Sequence, residues 1–549
     1  MSNRIMEIEA VITGFAGAAI ISSFEQRGEI IYGSISMTEQ GVILPFDVEI
    51  YPPYPFQFHD SESIRFINKE LIAYDHINGD GSVCVHTLHH PELSEKLVLD
   101  LNGVRHWIIK YYINGQHDAN YEHIVVNHKA INGQNNVFLF TDVDYTFKKG
   151  MHGRFTYSLL REGNWKKEIY TTLLVQKFKI NGYQPVCKWS SAYHQIKENE
   201  GIFYFNDTPP VENRRFTVKS FHQLEGYFSQ EFLRTLDSVR KQIRNAKYIE
   251  HIPLLLGYPI ADSEIHWQAI LIPINEFPNY GEKITGTNTW VGRLKEQPIL
   301  WTQTRNSSYS YFFGRGAFHP KVTDAKILII GIGAVGSMVA TTIVRGGAKD
   351  VLVVDHDLKE PENICRSEYG FIPGLTAKAT ELSNRLSAIS PFVEVKSSEG
   401  LTDLFKLVIN GDDTRWRDSI KKHLDEFDII FDCSTDNDIA FLLGDLDLGG
   451  DIFSLSITNH AKELICGTKQ NLYGWLRQIF HQFDRDTEDL YGPAGCWNPT
   501  FKASYNDIAV LLQFALRHIN YCYKESLPVR HFYLSCTEEN QFDIKLTQF

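Results

Sequence analysis

Between Lys326 and Asp357 the chain sets three glycines and two acids in an order that suits a nucleotide. Gly331, Gly333 and Gly336 have the spacing G-x-G-x-x-G, in which the first glycine permits a tight turn, the second lets a phosphate approach the backbone and the third lets a helix sit close to a strand. Asp355 follows about 20 residues later, where an acid can accept hydrogen bonds from a ribose. Two cysteines offer a second chemistry. Cys84 follows Gly81-Ser-Val in a polar loop, and Cys496 lies in Gly495-Cys-Trp-Asn-Pro499, a rigid turn ahead of a helix expected over 508–519. A thiolate needs access and a polar setting, and a helix N-terminus nearby stabilises it.

These residues need elements to hold them. Ile327 to Ile330 is a continuous apolar run, as in a parallel strand covered on both faces. Residues 337–344 read as the following helix and 351–354 as a second strand ending on Asp355. The uncharged stretch 327–344 is long enough for a membrane helix, but three glycines interrupt it and a strand pattern follows at once. A glycine fingerprint alone leaves NAD, FAD, SAM and ATP open. The residues downstream discriminate: Asp355-His-Asp357, Asn363-Ile-Cys-Arg366, Gly374-Leu-Thr-Ala-Lys378 and Asp432-Cys-Ser-Thr435-Asp436-Asn437. In order, they resemble the D-x-D, N-x-x-R, helix-proximal lysine and, with one more residue between its acids, D-x-x-D-N motifs of the ubiquitin-activating and ThiF/MoeB adenylating family.

That resemblance implies ATP and Mg²⁺ as cofactors and a role for each position. Asp355 would hold the ribose, Asn363 and Arg366 would address the phosphates, and Asp357 would belong to the same ATP-binding set. Lys378 would neutralise the transferring phosphate, and Asp436, in the turn after a strand over 429–432, would help hold Mg²⁺. Attack of a carboxylate on an α-phosphate builds negative charge that preorganised cations stabilise. Relatives also supply an arginine from a preceding segment, often across a dimer; Arg305 and Arg315 are both candidates, and a homodimer through this part of the chain is implied. Many relatives hold a structural zinc with two C-x-x-C pairs, and the eight cysteines here include no such pair, so that zinc is not expected. Cys365 and Cys433 fall inside the nucleotide motifs and are expected to pack there, as Cys466, Cys522 and Cys536 are in their apolar stretches.

Residues 1–130 read as an α+β unit. A helix is expected from Met6 toward Arg27, paired strands over 29–37 and 41–51, and a stop at Pro52, Pro53 and Pro55. Tyr51-Pro-Pro-Tyr54-Pro followed by His76-Ile-Asn78-Gly-Asp80-Gly81-Ser-Val-Cys84 is similar to the ubiquitin-conjugating fold, in which a proline-aromatic segment precedes the loop bearing the catalytic thiol. The resemblance assigns that role to Cys84. The usual H-P-N is missing, which leaves His76 and Asn78 as candidates for its oxyanion-stabilising residue. A helix over 97–113 would close the unit, with Leu97, Leu99, Leu101, Val104, Trp107 and Ile108 in the core.

Residues 131–318 show strand patterns and one long helix expected over 219–247, but no motif; they are read as an α/β linker or adaptor. Residues 319–549 are read as the Rossmann-like adenylation domain, so the whole is an α/β chain of three parts. With 549 residues, 43% hydrophobic, and a net charge of −13, the composition argues against a nucleic-acid surface. Charges alternate through the first ten residues, so neither a signal nor a membrane partner is expected, and the reading is cytoplasmic.

A conjugating-like part ahead of an adenylating part resembles the fused activating and conjugating proteins of bacterial CBASS anti-phage operons, the CD-NTase-associated ubiquitin transferases. The implied reaction begins with ATP and a protein C-terminal carboxylate, the carboxylate of a CD-NTase from the same operon. The acyl-adenylate would pass to Cys496 as a thioester, then to Cys84, then to an amine. Three other readings compete. Activation of a ubiquitin-like sulfur carrier leaves the N-terminal part without work; a dinucleotide oxidoreductase explains only the glycines and Asp355; a non-catalytic scaffold leaves the ordered nucleotide motifs superfluous.

Overall fold

Ile5, Ile8 and Ile12 recur at helical spacing, and Asn3–Gly14 forms a helix that buries all three. The structure, a computed structural model, describes residues 3–58, 63–118, 124–128, 130–165, 167–194, 196–243, 250–261, 264–286, 290–399, 414–483, 503–537 and 542–549. The first helix stops well short of Arg27. Gly17, at φ 89°, turns the chain, and Ala18–Arg27 becomes the first strand of an antiparallel meander completed by Ile30–Glu39, Val42–Ile50 and Ile64–Ile67. The closing helix, Leu93–Trp107, runs on as one wider turn over Ile108–Ile113. Leu97, Leu101, Val104, Trp107 and Ile108 are buried in the core with Ile5 and Ile8. Leu99, expected among them, is only partly buried, because a position two residues along a helix from Leu97 and Leu101 faces the other way.

On the same helix Lys96 and Asp100, 4% and 2% exposed, form an ion pair at 2.5 Å. The Tyr54 hydroxyl donates to Asp100 at 2.9 Å, Lys96 donates to the Thr87 hydroxyl at 2.6 Å, and Thr87 in turn donates to Asp100. The chain just beyond Cys84 is thereby pinned to the helix through a buried, hydrogen-bonded ion pair.

The middle segment closes into a seven-stranded barrel, ordered His251–Ala261, Glu264–Pro273, Trp301–Asn306, Gln134–Phe140, Glu168–Lys179, His152–Trp165 and Glu198–Phe205. Alternate residues serve two cores, as the period of a strand requires. Phe203, Phe205 and Leu255 join Phe138, Phe155, Phe178 and Trp267 in one. Ile202, Tyr204, Leu254 and Leu256 join Phe232, Leu233 and Leu236 of the Gln230–Ile243 helix in the other. That helix begins at Gln230, not at Lys219, because the Ser229 hydroxyl caps it by accepting from Phe232 N–H at 3.2 Å.

In the C-terminal unit Ile327 and Ile329 point into one core and Leu328 and Ile330 into another, as the unbroken apolar run requires. The eight-stranded sheet is ordered Glu394–Ser398, Asp350–Val354, Lys326–Ile330, Ile429–Asp432, Asp451–Thr458, Glu463–Thr468, Phe532–Thr537 and Asp543–Gln548. The first five pair in parallel and the last three antiparallel. The helices Ala334–Arg345, Lys378–Ile389 and Tyr505–Lys524 cover one face, with Asn437–Asp445 and Leu472–Phe480 on the other. Lys326–Ile330 has Asp350–Val354 on one side and Ile429–Asp432 on the other, so the chain reverses its direction of travel across the sheet there. Ligands of open parallel sheets bind outside the strand ends at such a point.

The middle segment is bonded to the C-terminal unit. Ser191 donates from its backbone and its hydroxyl to Glu394 at 2.7 and 2.6 Å, and the Tyr193 hydroxyl donates to the Ser387 carbonyl at 2.9 Å.

Removing Asp100 leaves the Lys96 charge buried without its partner. Asp100→Ala should lower the stability of the N-terminal unit by about 3–5 kcal/mol, read as the shift of its urea transition. Lys96→Met combined with Asp100→Leu should cost much less.

Candidate active site

The glycine turn is built by what each position has room for. Gly331 holds φ 74°, a conformation L side chains rarely adopt. A Cβ on Gly336 would overlap the Gly331 carbonyl oxygen, so only glycine lets the Ala334–Arg345 helix sit this close to the turn. Gly333 has nothing within 4 Å of where its Cβ would be, and it opens the helix, leaving backbone amides beside an unfilled space.

That space is a cleft of about 410 Å³ at the strand ends, lined by Gly331, Gly333, Asp355, Asp357, Asn363, Arg366 and Lys378 together with Ser434 and Thr435. Residues scattered over more than a hundred positions of sequence therefore meet on one surface. Asp355, 8% exposed, accepts from the Ile332 N–H with one carboxylate oxygen and from the Asp357 N–H with the other, each at 2.9 Å. It braces the glycine turn from the end of the neighbouring strand. Lys378 opens the Lys378–Ile389 helix and donates to the Asp357 carboxylate at 2.8 Å, a bond that holds the Asp357 carboxyl below its ordinary range. Asn363 lies in the short helix Pro361–Ile364, where its side chain accepts from the Glu360 N–H at 2.9 Å.

Two expected residues lie off the cleft wall. Gly336 is buried beneath the turn, as its packing role requires. Asp436 is not among the lining residues; it caps the Asn437–Asp445 helix, accepting from the Asp438 and Ile439 N–H groups at 2.8 and 3.4 Å. Asp355, His356 and Asp357 offer ligand atoms that all lie within 4.8 Å of one another. Neither candidate arginine reaches the cleft: Arg305 bonds Gln303 and Thr304 on its barrel strand at 3.3 and 3.2 Å, and Arg315 is exposed. Cys365 is exposed rather than packed, since the short Pro361–Ile364 helix stands at the surface. Burial raises the thiol pKa of Cys433 and Cys466 well above the ordinary range, which suits packing and not attack.

The second candidate site is Cys84, half-buried, with its N–H bonded to the His76 carbonyl at 2.7 Å. It lies on the walls of two clefts, one of about 780 Å³ shared with the middle segment and one of about 450 Å³ against the Leu93–Trp107 helix. Its sulfur is 3.4 Å from His86 Nε2. Sequence reading passed over His86, although two residues apart in extended chain is the spacing that returns a side chain to the same side. His76, with φ 60°, is 2.9 Å from the Asp118 carboxylate, which also accepts from Tyr111 and Lys110. Those bonds, Tyr111's foremost, hold the Asp118 carboxyl well below its usual range. Asn78 lines the larger cleft and donates to the Ser82 hydroxyl at 2.9 Å. Cys496, the other candidate thiol, lies outside the described residues.

Residues 308–475 match the ThiF family, and the G-x-G-x-x-G turn with most of the switch-point cleft lies within them. The chain is similar to the ATP-dependent ubiquitin transferase-like protein Cap2 of Enterobacter hormaechei subsp. hoffmannii (strain UCI 50), with 25% identity over 389 residues, 65% of this chain and 62% of that protein. It therefore spans less than two thirds of the length of that curated relative. Among solved structures, E. coli MccB with ATP is 13% identical, covering 42% of this chain and 64% of that one, at a TM-score of 0.28. PaaA is 15% identical over 42% of this chain and 74% of its own, at a TM-score of 0.30. Among the described residues no helix is long and apolar enough to cross a membrane.

The two glycines should separate under mutation. Gly336→Ala should destabilise the C-terminal unit by about 2 kcal/mol or more through the clash it creates. Gly333→Ala should melt as the wild type does but bind ATP at least about tenfold more weakly, measured by calorimetry.

Proposed function

We propose that the chain uses ATP to activate a protein C-terminal carboxylate and passes the acyl group through cysteine thioesters to an amine. The observation that carries this reading is the convergence of Asp355, Asp357, Asn363, Arg366 and Lys378 on one cleft beside the glycine turn, in a segment that matches the ThiF family. The printed name of the Enterobacter relative, an ATP-dependent ubiquitin transferase-like protein, supports the same class of reaction.

In the proposed first step a carboxylate oxygen attacks the α-phosphorus of ATP, the bond to the β-phosphate oxygen breaks, and pyrophosphate leaves. Asp355 orients the ribose, Gly333 lets the phosphates reach backbone N–H groups, and Asn363 and Arg366 hold them. Lys378 changes partner, from Asp357 toward the phosphate that gains charge. Asp355 and Asp357 offer oxygen ligands that fit Mg²⁺, a hard cation, and would hold it; Asp436, the position the resemblance names for the ion, would have to leave its helix cap to join them. When bound, it supplies further neutralisation of phosphate charge.

The Cys496 thiolate then attacks the acyl carbon and displaces AMP. Cys84 attacks that thioester in turn and releases the Cys496 thiol, and an amine takes the acyl group and releases Cys84. His86, 3.4 Å from the Cys84 sulfur, receives the thiol proton. Asn78 and His76 flank the thiol as oxyanion-stabilising groups. The carboxylate donor in this reading is a CD-NTase of a CBASS operon, and the working unit is a homodimer through the ThiF-type part.

With ATP, Mg²⁺ and the CD-NTase, the wild type should give a thiol-sensitive adduct on a non-reducing gel. Cys496→Ala should abolish it, Cys84→Ala should stall it on the C-terminal half, and His86→Ala should slow loading of Cys84 by about 10²-fold. Pyrophosphate release with no adduct would instead mark a sulfur-carrier type of activator and remove Cys84 from the mechanism.

A further inference from the structure

The larger cleft beside Cys84 is not made by the N-terminal unit alone. A small hairpin of the middle segment, Val211–Glu212 with Phe216–Thr217, forms its second wall. Arg215, 5% exposed, reaches from that hairpin and donates to the carbonyls of Tyr74 and Ile77 at 2.6 and 2.9 Å. Those carbonyls flank His76, the residue whose own carbonyl holds the Cys84 N–H. The hairpin is therefore fixed to the loop that carries the thiol. A bridge between Val125 and Phe216 adds the segment 124–128 to the same wall.

The lining states what the cleft takes. Four carboxamides face it, Gln57 and Asn78 from one side and Asn127 and Asn213 from the other. A carboxamide both donates and accepts, which matches the alternating N–H and C=O of an extended peptide. The charged lining is internally neutralised, Arg65 against Asp80 at 3.3 Å and Lys219 against Glu212 at 3.2 Å, so neither an anion nor a cation is selected. Thr217 supplies an independent sign of a ligand. It lines the cleft, is 4% exposed, and its hydroxyl has no hydrogen-bond partner among the described residues. A buried hydroxyl left in that state is disfavoured unless something else completes it.

We infer that this shared cleft binds the extended C-terminal main chain of the protein carried on Cys84, with Thr217, Asn127 and Asn213 of the middle segment as its contacts. The inference rests on the reading that Cys84 carries the acyl group. It gives the middle segment a task in substrate selection: the tail must be unfolded and slender over several residues before its terminal carbonyl, and bulky side chains there are rejected.

The test does not require catalysis. In the full chain with Cys365→Ser and Cys496→Ser, Cys84 is joined as a mixed disulfide to a ten-residue Gly/Ala/Leu peptide ending in cysteamine, with cysteamine alone as the control. Backbone hydrogen exchange at 124–128 and 211–217 should slow by about tenfold with the peptide relative to the control. Thr217→Val, of the same shape without the hydroxyl, should melt no lower than the parent yet lose about fivefold of that protection. Protection confined to 99–111, or absent, would overturn the inference, as would Thr217→Val that melts lower and keeps full protection. Because the disulfide forms without ATP, a failure of thioester transfer on the gel with cleft protection intact would count against the transfer reading alone.

Discussion

The close approach of the Ala334–Arg345 helix to the Gly331 turn is the contact on which the C-terminal site depends. With no Cβ at Gly336 the helix meets the turn at backbone distance, and its first amides open onto the ends of the parallel strands. Asp355 reinforces that arrangement by accepting from Ile332 N–H, so the strand that would present an acid to a ribose also holds the phosphate turn in place. In the proposed reading, one carboxylate is thus both a binding element and a structural brace. Tyr369 adds a further bond, donating its hydroxyl to the Ile332 carbonyl at 2.6 Å.

Lys378 and Asp357 show how charge is stored beside such a turn. The lysine is 7% exposed, and a buried ammonium is unfavourable without a partner. Asp357 is that partner, and in the proposed reaction a phosphate would replace it without leaving the cation bare. The N-terminal unit uses a related device for a different end: the buried Lys96 and Asp100 pair, with Tyr54 and Thr87, holds the chain beyond Cys84 against its helix. Arg215 of the middle segment holds the chain before it. The loop bearing Cys84 is therefore clamped on both sides, once from within its unit and once from the hairpin of the middle segment.

Much of the C-terminal site was legible because its signals are local. An apolar run, a fixed glycine spacing and an acid closing the next strand each follow from backbone sterics, and Lys326–Ile330, Asp350–Val354 and Ile429–Asp432 form where those patterns stand. Leu99 was misassigned because a list of leucines was read without its helical phase. The first helix was drawn too long, since Ala18–Arg27 is set by pairing with Ile30–Glu39, a contact outside any short window. Closure of the barrel was hidden for the same reason: Gln134–Phe140 pairs with Trp301–Asn306, far along the chain. The role of Arg215 was hidden too, because an Arg214-Arg215 pair in a polar stretch carries no sign of which one will be buried across a boundary. The cap formed by Asp436 had a local signal, an acid directly ahead of a helical pattern, outweighed in reading by the motif around it.

The claim at the centre of this account is that the cleft over Gly333 transfers AMP to a carboxylate. Exchange of labelled pyrophosphate into ATP tests it most directly, with the same acceptor protein supplied either with its free C-terminal carboxylate or with that carboxylate amidated. The account predicts rapid exchange with the free carboxylate, none with the amide, and loss of about 10²–10³-fold in Lys378→Ala. Exchange that ignores the state of the acceptor's C-terminus, or ATP cleaved only to ADP, would contradict it.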